Sequence, residues 1–190
     1  MDATFTMPAK VLLGMSHLTD CDNPSLSGVL IEKRDGTIRL VATDGHLMGI
    51  YDVSTDVEWL DGASGEESVN VNVSDFVSLL KEAKKNRLSY VKVSLNGKVK
   101  VEHFGKTVES AYNDNTFPNY KVCVPRVADT PIPHIGIQLA KLDKFKKCLV
   151  DLSGSKEIYL RLSFTGTESP MKVTSGADSN FTGILMPARS

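Results

Sequence analysis

Few residues in this sequence stand in an arrangement that could do chemistry, and those few suggest binding before catalysis. Asp44-Gly45-His46 sets a carboxylate two residues from an imidazole, the raw material of an acid–base pair. Neighbours on one turn need not face a common substrate, and no nucleophile motif lies beside them, so the triplet defines no reaction. His17, His103 and His134 show no metal-ligand spacing. The three cysteines, Cys21, Cys123 and Cys148, do not pair at such spacing either; they read as reduced thiols in a reducing compartment. No phosphate-cradling glycine loop of the usual form is present. The expectation is a protein that is not an enzyme and uses no metal or cofactor.

Charge placement is more informative than total charge. The net charge is -1, so the molecule as a whole has no basic footprint. Lys81, Lys84, Lys85 and Arg87 nevertheless cluster in and just after one helical segment, and Lys141, Lys144, Lys146 and Lys147 in another. Asp75, Glu82 and Asp143 are the acidic residues read beside them. Such faces attract phosphate without reading base sequence, which makes these eight the candidate DNA-facing residues. A merely solvated helix face is the alternative. Trp59, in an acidic loop context, reads as surface packing, with partner docking as its alternative.

The elements that must position these groups follow from periodicity. Phe5 to Thr19 reads as a helix, with Pro8 in its first turn and Val11, Leu12, Met15 and Leu18 at helical spacing. Gly28–Glu32, Thr37–Thr43 and Leu47–Val53 read as strands, the first two joined by an Asp35-Gly36 turn. Asp61 to Gly65 reads as an exposed loop and Asn70–Val73 as a short strand. Ser74-Asp75 caps a second helix running to about Asn86. Tyr90–Ser94 and Lys98–His103 flank Asn96-Gly97, a strong hairpin signal, and Lys106–Ala111 follows as a strand. A segment rich in proline, Pro125 to Pro133, reads as an extended linker. A third helix is expected over Ala140–Val150, then strands over Glu157–Phe164, Met171–Ser175 and Phe181–Met186. The pattern is one unit, a helix followed by strands, repeated three times.

The chain has 190 residues, 41% hydrophobic and 24% charged, ordinary for a globular protein of one or two domains. A chain of this size buries roughly 70% of its unfolded surface and needs no staples. Its start, Met1 to Phe5, has neither a basic nor an apolar leader region. No run approaches the ~18 apolar residues of a membrane span, so a cytoplasmic location is expected.

Leu40-Val41-Ala42-Thr43-Asp44-Gly45-His46 resembles the hallmark of the middle domain of bacterial β sliding clamps, the processivity subunit of DNA polymerase III. Phe117-Pro118-Asn119-Tyr120 with Val124-Pro125 resembles that domain's closing segment, and Met186-Pro187-Ala188-Arg189 the clamp's last strand. The motifs occur in the family's order, and the resemblance covers most of residues 5 to 190. It implies an α+β DNA-clamp fold of repeated helix-plus-antiparallel-strand units. Residues 1–125 would form a full clamp domain, 126–133 a linker, and 134–190 the second half of another domain.

By the same resemblance, partner peptides enter an apolar cleft. Its middle-domain wall would be Leu26, Thr43, Gly45, His46, Leu47 and Met48; Pro125 would form the linker wall, and Ile184, Met186, Pro187 and Arg189 the far wall. Leu47 stands where the family usually has arginine, and Ala188 and Ser190 where it has methionine and leucine. The implied partners are duplex DNA bound without sequence preference, a polymerase and other clamp-binding peptides, and a clamp loader. A homo-oligomeric ring would encircle the DNA; a tetramer of such chains would supply as many units as the family's ring. The short chain suggests a phage or mobile-element version. The alternative is a regulator or decoy that binds clamp-binding peptides, or a host clamp, without encircling DNA. A lone half domain is expected to leave an open sheet edge and an uncovered apolar helix face.

Overall fold

The computed structural model describes residues 3–34, 37–54, 57–59, 68–86, 89–124 and 135–188. The Asp35-Gly36 turn, the loop from Asp61 to Gly65, Arg87, Pro125, the linker, His134, Arg189, Ser190 and the side chain of Trp59 lie outside the described residues.

The first segment corrects the sequence reading. Residues expected to open a helix form strand β1 (Ala3–Pro8), in which Ala3, Phe5 and Met7 are buried while Thr4 and Thr6 are not. Spacing of two, not four, is what buries Phe5 and Met7 on one side. Met7 precedes a proline and is thereby biased to extended backbone. Helix α1 (Ala9–Ser16) starts only after Pro8, at φ -62° and ψ 127°. Strands β2 (Val29–Arg34), β3 (Thr37–Thr43), β4 (Leu47–Ser54) and β5 (Val57–Trp59) follow.

The second unit begins with β6 (Ser68–Val71). The expected Ser74-Asp75 cap is replaced by a 3-10 turn over Val73–Phe76 that feeds helix α2 (Val77–Lys85). Neither residue caps the helix; Asp75 instead accepts the Ser110 hydroxyl at 2.5 Å. Strands β7 (Tyr90–Leu95), β8 (Val99–His103) and β9 (Lys106–Ser110) complete the unit. The third unit is helix α3 (Leu139–Ser153), longer than expected, with β10 (Leu160–Ser163), β11 (Met171–Ser175) and β12 (Asp178–Leu185).

The strands form two antiparallel sheets, one ordered β5-β1-β7-β8-β9 and the other β10-β11-β12-β4-β3-β2-β6. The larger sheet joins the first and third units by pairing β12 with β4, from Phe181 opposite Tyr51 to Leu185 opposite Leu47. Gly183 stands opposite Gly49 in this seam. A Cβ at Gly49 would lie 2.3 Å from Leu18 Cδ1 and 3.2 Å from the Phe181 ring; one at Gly183 would lie 2.7 Å from the Phe145 ring. Two glycines therefore let helix-side rings and methyls sit directly on the backbone.

Helix α1 packs against both α2 and α3. This corrects the expected bare helix face: Phe145, Cys148, Leu149 and Leu152 of α3 are fully buried in the same core as α1. Asp151 of α3 ties the helices together, accepting from Lys84 of α2 and lying 2.6 Å from the His17 ring just after α1. Strands β10 and β6 end the larger sheet, and β5 and β9 the smaller one. Among the described residues no helix is long and apolar enough to cross a membrane.

Replacing Gly183 with valine should destabilise the fold by roughly 1–3 kcal/mol, because the added atoms meet the rigid Phe145 ring and Val173. Thermal unfolding reads this as a lowered Tm, and an unchanged Tm would show the seam to be loosely packed.

Candidate functional site

The turn between β3 and β4 is built by its own polar side chains. Thr43 Oγ1 donates to the Leu47 carbonyl at 2.6 Å and accepts the Gly45 amide at 3.1 Å. Asp44 Oδ1 accepts the amides of His46 and Leu47, both at 3.0 Å. Gly45 has φ 85°, a left-handed conformation that disfavours any residue with a Cβ. The Met186 amide then donates to the His46 carbonyl at 2.9 Å, which attaches the segment after β12 to the same turn.

Side-chain alternation along the paired strands sorts residues onto two faces. Leu47 and Tyr51 of β4, with Phe181 and Leu185 of β12, join the main core under the helices. Met48 and Ile50, with Val41, Ile184 and Tyr120, form a second cluster on the opposite face. Above it opens a cavity of about 370 Å³. Leu26, Thr43, Gly45, His46, Leu47, Met48, Ile184 and Met186 all line it. Pro187 does not line it, and Pro125 and Arg189 lie outside the described residues.

Asn23, Ser25, Pro118, Tyr120 and Cys123 also line the cavity, and the sequence reading did not place them there. Tyr120 matters most. It is 4% exposed and forms the floor, with its hydroxyl donating to Glu32 and accepting from Arg34 at 3.1 Å. Lys121 pairs with the same Glu32 at 2.9 Å. Burial pushes the Glu32 carboxyl up, but the Tyr120 and Lys121 hydrogen bonds and the nearby Arg34 charge leave it lowered overall. The signal was available in Phe117-Pro118-Asn119-Tyr120, which was read only as a closing segment. A larger groove of about 450 Å³ beside the cleft is lined mainly by polar residues of the 112–121 segment.

Asp44 and His46 do not face a shared reactant. His46 is exposed, whereas the Asp44 carboxylate is only 3% exposed and turns toward α3, where Oδ2 accepts Lys141 and Lys144, each at 2.7 Å. Burial alone would push this carboxyl up; the two ammonium groups and the two turn amides outweigh it and bring it down to about 2.

The basic residues therefore divide. Lys84 is held by Asp151, Lys141 and Lys144 by Asp44, and Lys147 by Asp143 at 2.8 Å. Lys81, Lys85 and Lys146 are exposed and make no ion pair among the described residues. Asp151 is the acidic partner that the sequence reading overlooked. His103 is buried and structural, held by the Tyr90 carbonyl at 2.9 Å and the Asn86 amide at 2.8 Å.

No protein-family model and no curated protein matches the chain. Solved structures do. A DNA polymerase sliding clamp from Pseudomonas aeruginosa, with ligand, superposes with a TM-score of 0.71 at 16% identity, over 98% of this chain and 66% of that one. The sliding clamp (DNA polymerase III subunit beta) of the same organism bound to griselimycin gives 0.72 at 15% identity, over 98% and 65%. The Bacillus subtilis sliding clamp gives 0.72 at 13% identity, over 98% and 64%. The chain therefore has the α+β sliding-clamp fold and spans just under two-thirds of the length of these clamps.

The depressed Asp44 pKa makes the turn acid-sensitive. A carboxyl lowered by folding contributes stability above its unfolded pKa of ~3.9, and that contribution fades as pH falls toward about 2. The contribution is of order 2 kcal/mol. Denaturant titrations should show stability falling between these pH values in the native chain and falling less steeply in Asp44→Asn.

Proposed function

We propose that the chain is a non-enzymatic, sliding-clamp-like processivity factor. It encircles duplex DNA as a homo-oligomeric ring and docks partner peptides in the cleft between the Thr43–Met48 turn and the Ile184–Met186 segment. The observation that carries this reading is the cleft itself. Residues from two ends of the chain converge on one apolar cavity of drug-like size, within a fold that matches sliding clamps over 98% of this chain. One of those clamps is recorded with griselimycin bound. The apolar floor of Met48, Ile184 and Tyr120 suits a hydrophobic anchor, and methionine adapts to varied shapes.

In this reading residues 1–125 are a full clamp domain and 134–190 a half domain. The sheets end at β10, β5 and β9, and strand pairing at these ends would cover edge backbone groups in an assembly. The β6 edge is already engaged within the chain, where the Asn113 amide donates to the Asn70 carbonyl at 2.9 Å. A tetramer is the assembly proposed. Exposed Lys81, Lys85 and Lys146 on the helices supply weak phosphate contacts that let a ring slide. Tethering then keeps a polymerase at high local concentration near the primer end.

Met48→Asp with Met186→Asp should weaken griselimycin binding by more than about 100-fold, since a lone carboxylate in an apolar pocket costs several kcal/mol. Assembly, measured by mass in solution, should be unchanged. Persistent binding in this variant sinks the cleft assignment, and a stable monomer at micromolar concentration sinks the ring. Lys85→Glu with Lys146→Glu should lower duplex binding at low salt and flatten its salt dependence; undiminished binding would mean that these helices do not face DNA.

A further inference from the structure

The contact left unexplained by the cleft lies behind it. Asp44 uses one oxygen to shape the turn and the other to hold two lysines of α3. One carboxylate balances one cation, so this cluster carries an excess positive charge. The two lysines differ in access: the Lys141 side chain is 16% exposed and Lys144 is 36% exposed. Lys144 is therefore the one an outside anion reaches.

The start of α3 is also fastened to the opposite wall. Gly136, just ahead of the helix, accepts the Ala188 amide at 2.8 Å, and Met186 donates to His46 at 2.9 Å. Both walls of the cleft and the first turns of α3 thus form one closed set of attachments. A change in how α3 is held reaches the cleft directly.

We propose that Lys141 and Lys144 are positioning residues for the cleft, and that the phosphodiester backbone of duplex DNA, by drawing Lys144 from Asp44, loosens the Thr43–Met48 turn and lowers the cleft's affinity for its ligand. The inference rests on the reading that α3 meets DNA and that the cleft docks peptides. An exposed ion pair would transmit little. Asp44 is different, because removing one partner leaves a buried carboxylate less compensated. Lys141 stays on Asp44, so the turn loosens without unfolding. Linkage requires the effect to be reciprocal: a filled cleft must weaken the hold on DNA by the same factor.

The test uses the full chain, isotope-labelled, with a short duplex and griselimycin as probes. Adding duplex should move the backbone amide signals of His46 and Leu47, the two main-chain donors to Asp44. It should also lower griselimycin affinity about fivefold, the low end of typical coupling. In Lys144→Gln these amides should already sit near their DNA-shifted positions and respond no further, while duplex still binds through Lys146. Lys144→Arg, which keeps the charge, should restore the response and guards against misfolding of the first variant. If duplex and griselimycin both bind but the affinities are independent and the two amides stay still, the coupling is overturned and the clamp reading stands. If either probe fails to bind the native chain, that reading falls, and this inference falls with it.

Discussion

The pairing of β12 with β4 is the constraint on which the other features depend. It joins the last strand of the chain to a strand near its beginning, and Gly49 opposite Gly183 keeps the seam thin enough for helices to rest on it. Leu18, Phe145 and Phe181 fill the space that side chains at those glycines would take. On this face the seam carries the main core. On the other face the same two strands present Met48 and Ile184, directly opposite one another. Cleft and core are thus two sides of a single ladder, and a register shift of one residue would exchange them.

Electrostatics fasten this arrangement at three largely buried carboxylates, each drawing partners from separate parts of the chain. Asp44 joins the β3–β4 turn to α3. Asp151 joins α3 to α2 and to the end of α1. Glu32 joins β2 to the Tyr120 floor and Lys121. Pairs of this kind weaken the case for stability by charge alone, since desolvation offsets much of the attraction, but they fix orientation well. They also occupy basic residues internally. The positive surface available to an external polyanion is accordingly smaller than a count of lysines suggests.

Much of the fold was legible because its signals are local. Thr37–Thr43 and Met171–Ser175 have the bounds expected from alternation, and Gly97 takes the left-handed φ of 65° that the Asn96-Gly97 hairpin signal implies. The first helix was misjudged where two periods compete: Phe5 and Met7 fit a helix by hydrophobicity but a strand by their spacing and by the proline that follows. The capping expectation at Ser74-Asp75 failed because Asp75 finds Ser110 on a neighbouring strand, a competitor no local pattern reveals.

By itself the sequence determined the order of the helix-plus-strand units, the turn chemistry of Thr43-Asp44-Gly45 and the apolar residues available to a cleft. These depend on neighbours within a few residues, where spacing and propensity act. Only the tertiary structure decided that Tyr120 floors the cleft, that Leu47 packs into the main core while bordering the cleft, and that Lys141 and Lys144 answer to Asp44. Those outcomes depend on which distant strand lies alongside β4 and which helix lies behind it. Pairing of that range is selected by the closure of the whole core, and no short window of sequence carries it.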